Sequence, residues 1–158
     1  MIFVVKMEDF RRKASLVEGG HVTDPPSTIM HARVVPRETV RIALTLAALN
    51  DFPVKVADIQ NAYITAPVIE KIWTVLGQYF GEDVGRNSIV VRALYGLKSA
   101  GSAFWNYLAD CMHHLVFLMC PADLDIWMNP MLSPNNGFGY YAYFLMYVEN
   151  VIAIHHGA

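Results

Sequence analysis

Charge is scarce in this chain: of 158 residues only 16% are Asp, Glu, Lys or Arg, against 54% hydrophobic. That balance excludes a disordered polar chain and leaves ample material for a core in one domain of ordinary size. Cysteine is equally sparse. Cys111 and Cys120 do not make the disulfide framework of a small secreted scaffold, and they read as reduced, intracellular thiols. No uninterrupted apolar run reaches the about 18 residues needed to span a bilayer. The stretch 140–154 comes closest, and Glu149 and Asn150 interrupt it near one end. The apolar run 2–5 is too short for a signal peptide and is followed at once by Lys6, Glu8 and Asp9. The expectation is an intracellular protein, cytoplasmic or nuclear, without a signal peptide or a membrane span. Also missing are internal repeats, low-complexity segments, a dinucleotide glycine fingerprint and a phosphate-binding loop, which removes the commonest nucleotide-binding architectures. The pairs His113-His114 and His155-His156 lack metal-ligand spacing, and adjacent side chains on a helix or strand point in different directions.

What is present is unusually apolar. The mean hydropathy of +0.31 is high for a soluble domain and suits a surface that partner elements normally cover. Net charge is −2, yet residues 1–50 hold seven Lys or Arg against five Asp or Glu, and residues 51–158 hold five against nine. A basic front and an acidic remainder suit an enzyme that grips a phosphate chain with one part and metal ions with another. A solvated charge run accounts for Arg11-Arg12-Lys13 equally well.

Patterning predicts a short strand over 13–18, ended by Gly19-Gly20, and a loop over 23–27. A helix follows from Pro36 to about Asn50, with so little polar face that burial on most sides is expected. A strand over 53–57 leads to Asp58, and strands over 71–76 and 89–94 flank a polar connection. From 100 to 118 the pattern is helical, with Phe104, Leu108, Cys111, Leu115 and Leu118 on one face. A short strand over 125–129, a long loop over 130–139 and a hairpin over 140–155 complete the chain. Helices interleaved with an antiparallel hairpin indicate α+β rather than a doubly wound sheet.

The segment Tyr147-Val148-Glu149-Asn150 lies between two apolar runs, 140–146 and 151–154, and carries the only charge there. Flanking β-branched and aromatic residues favour strands, and Asn tolerates the turn conformations a tight hairpin needs. A carboxylate and an amide at such a tip suit a site; an ordinary exposed turn has the same composition.

The phrase Val91-Arg92-Ala93-Leu94-Tyr95-Gly96-Leu97-Lys98-Ser99-Ala100 strongly resembles the Leu-Tyr-Gly-Leu-Lys-Gln-Ala signature of reverse transcriptases from copia-type LTR retrotransposons. Four further blocks fall in that family's order: Lys13-Ala14-Ser15-Leu16-Val17, Glu38-Thr39-Val40-Arg41, Asp58-Ile59-Gln60-Asn61-Ala62-Tyr63, and the Tyr147 to Asn150 hairpin, which is similar to Tyr-Val-Asp-Asp. The resemblance implies the fingers and palm portion of a right-hand polymerase, an antiparallel palm sheet with packed helices and no thumb. Residues 1–35 would then be fingers-like and 36–158 palm-like. It implies RNA-directed DNA polymerisation with two Mg²⁺ ions about 3.5–4 Å apart, an RNA/DNA template-primer, deoxynucleotide triphosphates, and partner integrase and ribonuclease H domains that this chain does not include. Asp58 would be the first metal-binding carboxylate, with Glu149 and Asn150 in the other two catalytic and metal positions. Tyr63 would be the ring that excludes a ribose 2′-hydroxyl, or a core aromatic with a wet hydroxyl; Lys13 and Lys98 would be phosphate contacts or solvated lysines.

Several letters depart from the family. Glu149 keeps its charge but is one methylene longer, an error of about 1 Å in a site where such an error can cost about 100-fold. Asn150 keeps an oxygen and loses the charge, so three carboxylates become two. Ser15, Gly19, Ser99, Gly101 and Ser102 replace residues that include phosphate-binding cations. The expectation is a catalytically impaired reverse transcriptase fragment; the alternative is a non-catalytic nucleic-acid-binding remnant that uses Arg11, Arg12, Lys13 and Lys98.

Overall fold

Pro36 stands in extended conformation (φ −62°, ψ 148°) at the threshold of the helix α1, Arg37–Leu49, where its missing N–H costs nothing because the first turn's donors have no intrahelical partners. The computed structural model describes residues 2–5, 12–15, 17, 34–133 and 137–155, the first eight as backbone only. They fall into two compact units, residues 32–62 with 105–158 and residues 1–31 with 63–104.

The first of these units is built on a five-stranded sheet in the order β3-β9-β8-β7-β6. Its strands are β3 (Val54–Asp58), β6 (Leu118–Cys120), β7 (Asp123–Leu132), β8 (Gly139–Tyr147) and β9 (Asn150–Ile154), and every pairing is antiparallel. Side chains alternate between the two faces of such a sheet. Leu145 and Ile154, with Ile126, Tyr143 and Ile152, meet Val35, Ala43, Ala47 and Val40 on the α1 side. The intervening residues Trp127, Met146 and Val151, with Phe144, meet Ala109, Met112, Trp105 and Leu108 of α3 (Ala100–His114). Helix α1 thus covers one face and the later turns of α3 the other.

A chain of polar contacts ties these layers to β7. The Thr39 hydroxyl donates to Asp123 at 2.8 Å, the other Asp123 oxygen accepts the Asp125 N–H at 3.1 Å, and Asp125 accepts the Trp105 indole N–H at 3.0 Å. Asp125 is only 6% exposed, so these donors offset part of the cost of burying a carboxylate. Across the same sheet, burial and then the negative charge of an ionised Cys120 or Tyr141 hold the Tyr143 phenol above the ordinary tyrosine range.

The two helices end in the same way, which patterning did not foresee. At α1, Asp51 takes a left-handed φ of 52° and the Phe52 N–H reaches back to the Ala47 carbonyl at 2.9 Å. At α3, Val116 takes φ 65°, its N–H bonds the His113 carbonyl at 3.0 Å, and the Phe117 N–H bonds the Met112 carbonyl at 3.0 Å. Both have the long reach-back bond of a Schellman closure, and the α3 end has its second bond as well, with Asp or Val where glycine is usual and a Phe carried into the core just beyond. The α3 helix therefore stops at His114, four residues short of the predicted end, and Leu115 and Leu118 are exposed rather than part of its stripe.

Other expectations also change. Helix α1 buries only Ala43 and Ala47; Ile42 is 70% and Leu49 79% exposed. A helix lying on one sheet face buries a single stripe, whatever the rest of its circumference carries. The predicted strand 125–129 is twice as long, running Asp123–Leu132 through Pro130. Proline is tolerated because β6 pairs with β7 only as far as Met128, so β7 has an open edge at Pro130, where a missing N–H breaks no ladder.

The second unit contains two two-stranded antiparallel sheets. One pairs β1 (Ile2–Val5) with β2 (Arg12–Ser15); the other pairs β4 (Pro67–Val75) with β5 (Asn87–Arg92), with a register shift between Pro67 and Ile72. Strand β2 covers the start of the predicted 13–18 strand, and the glycine pair and the loop over 23–27 lie outside the described residues. Between β4 and β5 the chain folds through 3₁₀ turns at Gln78–Asp83. A short helix α2, Ala62–Thr65, precedes β4. Strand β5 stops at Arg92 rather than 94, since the Ala93 N–H leaves the ladder to bond the Ala66 carbonyl at 3.0 Å. Among the described residues no helix is long and apolar enough to cross a membrane.

Because folding favours the neutral Tyr143 phenol, its contribution to stability is complete below the unfolded pKa of about 10 and falls as pH rises through the higher folded value. Alkaline unfolding curves should therefore show stability dropping above about pH 10, with a shallower drop in Tyr143→Phe. Equal slopes for the two proteins would contradict this assignment.

Candidate active site

Strand β3 reaches the sheet from far away in sequence, and its register is fixed: Val54 pairs with Ile154, Val56 with Ile152 and Asp58 with Asn150. The Ile59 N–H donates to the Glu149 carbonyl at 2.8 Å. A bond flanking the pair in this way makes Asp58 and Asn150 a non-hydrogen-bonded pair, the close kind, with Cα atoms about 4.5 Å apart and side chains on one face. On the far side of β9, Asn150 pairs with Tyr147. Asp58, Asn150 and Tyr147 thus form one row across three strands, and all three are exposed.

The β8–β9 hairpin turns on two residues, Val148 and Glu149. Val148 has φ 55°, a conformation that β-branched residues avoid. Asn150 does not supply the turn conformation; it opens the strand. The strain falls on Val148, and the half-buried Glu149 is anchored through its own carbonyl. Two residues that pattern reading passed over therefore hold the tip in place. Ile59 bonds Glu149 and packs against the Trp127 cluster, and the apolar letter after Asp58 was its only sequence signal. Val148 left no signal, since its role lies in the backbone.

The site's donor chemistry is hard oxygen: the Asp58 carboxylate and the Asn150 amide oxygen share the row, with Glu149 at the turn. Mg²⁺ accepts such ligands, but a two-ion centre needs several anionic oxygens to offset two divalent charges. The row holds one carboxylate and a neutral amide, and among the described residues no group of three His, Cys, Asp or Glu side chains is arranged to hold a metal ion. The residues present do not fit a two-ion centre.

The other expected site residues lie in the second unit. Tyr63 follows Asn61, whose φ of 54° starts the turn into α2, and the fully buried Ala62. Its half-buried ring meets Tyr95 edge-on at 4.5 Å and Phe104 at 5.9 Å between centroids. Lys98 is exposed, in the turn before α3. The backbone of Lys13 pairs with Val4 in the β1–β2 sheet, and its side chain lies outside the described residues, as do Arg11 and Gly19.

The phrase around Lys98 has a structural explanation. Tyr95 bridges to Val17 in parallel, and Gly96 has φ 96°, which a side chain would strain. Leu97 is buried, and N–H bonds of 3.2 Å from Leu97 to the Leu94 carbonyl and from Ala100 to the Leu97 carbonyl close two successive turns. Ser99 then accepts at its carbonyl from the Ser102 hydroxyl at 3.0 Å, inside the first turn of α3.

A mixed fold of helices and antiparallel sheet is also consistent with the family comparison. The chain belongs to the reverse transcriptase (RNA-dependent DNA polymerase) family, whose sequence model matches residues 2–151. No curated protein and no solved structure matches it significantly.

The left-handed Val148 costs about 1–2 kcal/mol relative to a residue free to adopt that conformation. Val148→Gly should therefore leave the fold intact and gain up to about 1 kcal/mol in urea unfolding. A loss of stability would show that Val148 packing outweighs its strain.

Proposed function

We propose that this chain is a copia-type reverse transcriptase domain whose polymerase chemistry is impaired at the hairpin. Family membership supplies the class: an RNA/DNA template-primer and nucleotide substrates, with divalent metals as the family's general cofactor. The observation that carries the reading is the cross-strand pair Asp58–Asn150. A carboxylate at a strand end, fixed opposite the hairpin residue that the resemblance aligns with an aspartate, is the placement that family chemistry calls for, with one charge missing. In this reading Asp58, Glu149 and Asn150 are the descendants of the metal-binding set. Tyr63 is the ring that screens the sugar, and Lys13 and Lys98 are phosphate contacts. Residues 1–35 are fingers-like and 36–158 palm-like. The copia-type assignment is supported by the Leu94 to Lys98 phrase together with the order of the other four blocks.

Loss of one carboxylate and lengthening of another act on the same ions, so their effects do not add independently. Primer extension on an RNA template tests the reading. The native chain should extend at least about 100-fold more slowly than Glu149→Asp/Asn150→Asp, in Mg²⁺ and in Mn²⁺. Equal rates for the two proteins would overturn the impairment. Salt-dependent binding of a hybrid duplex by the native chain, without extension, would favour the binding-remnant alternative.

A further inference from the structure

Two carboxylates directly opposite each other in a close antiparallel pair repel, and a cation between them is what relieves the repulsion. In this chain Asp58 faces the neutral Asn150, and the row ends at Tyr147. The next row on the same face, Val56, Ile152 and Leu145, carries no charge. The pair also sits beside the strained Val148 and is closed by the Ile59 to Glu149 bond. A like-charge penalty at position 150 would thus bear on a two-residue turn that already stores strain.

We propose that Asn150 has turned this edge into a metal-independent strand closure, so that folding of the domain is uncoupled from divalent cations. The inference rests on the reading of the edge as a descendant of a two-ion site, and it concerns stability rather than catalysis. A ligand stabilises a fold only through preferential binding to the native state, and the neutral amide removes both the penalty of the ion-free state and much of the attraction for the ion.

Thermal unfolding of the full 158-residue chain tests this. The native chain should melt within about 1 °C of the same temperature in chelator and in millimolar Mg²⁺ or Mn²⁺. Asn150→Asp should melt about 2–4 °C lower in chelator and recover that loss when either ion is added. A rise in the native chain's melting temperature as large as that of Asn150→Asp would overturn the proposal. Should Asn150→Asp not fold in chelator, Asp58→Asn decides. It should melt within about 1 °C of the native chain with and without ions, whereas loss of an ion response on that change would overturn the proposal. Primer extension reports only on the catalytic reading, so either idea can fail while the other stands.

Discussion

The pairing of β3 with β9 is the constraint on which the candidate site depends. Asp58 and Asn150 lie 92 positions apart in the chain, and five consecutive cross-strand pairs, from Val54 with Ile154 to Asp58 with Asn150, set them opposite each other. A slip of one residue would turn every side chain of β3 to the other face. The slip is opposed by the core. Val151 and Ile154 are buried on opposite faces of β9, one against the α3 side and one against the α1 side, so helices on both faces hold β9 in one orientation. The Ile59 to Glu149 bond then carries that register into the turn. The exposed polar row is thus positioned by apolar residues of the two core clusters.

Much of this was legible in the sequence, for reasons that can be named. The helix at α1 was visible through its proline start and apolar spacing, β3 through its β-branched run before Asp58, and the hairpin through two apolar strands around a polar break. The family was visible in a phrase that proves to be a turn: Gly96 is required by its φ, and Leu97 by its burial. Both letters answer to the backbone and the core rather than to the polar residues beside them. What was not legible depends on tertiary context. Strand β6 is three residues long and exists only because β7 supplies its partner. The helix stop at Val116 is made by a residue that rarely takes a left-handed conformation, and the strand through Pro130 depends on β6 ending first.

At the candidate site, the sequence placed Asp58 at a strand end and Glu149 and Asn150 at a hairpin, whereas their register was not legible. That Asp58 and Asn150 pair directly, and that Glu149 is held through its carbonyl, follows only from register. The same register separates the two hairpin residues: Glu149 lies in the turn, and Asn150 lies in the row directly opposite Asp58. Neither residue belongs to either core cluster. The two units also differ in content: the first holds the layered core, and the second holds the turn phrase and an aromatic group of Tyr63, Tyr95 and Phe104.

The central claim is that folding by itself sets Asp58 directly opposite Asn150. It is tested by the double variant Asp58→Cys/Asn150→Cys, oxidised mildly and mapped by mass spectrometry. A Cα separation of about 4.5 Å in a non-hydrogen-bonded pair lies within disulfide range. The account predicts a 58–150 disulfide as the main product, with Cys111 and Cys120 still free, and no such link in Ala57→Cys/Asn150→Cys, where the two side chains point to opposite faces. An unlinked first variant, or equal linkage in both, would contradict the register on which the site depends.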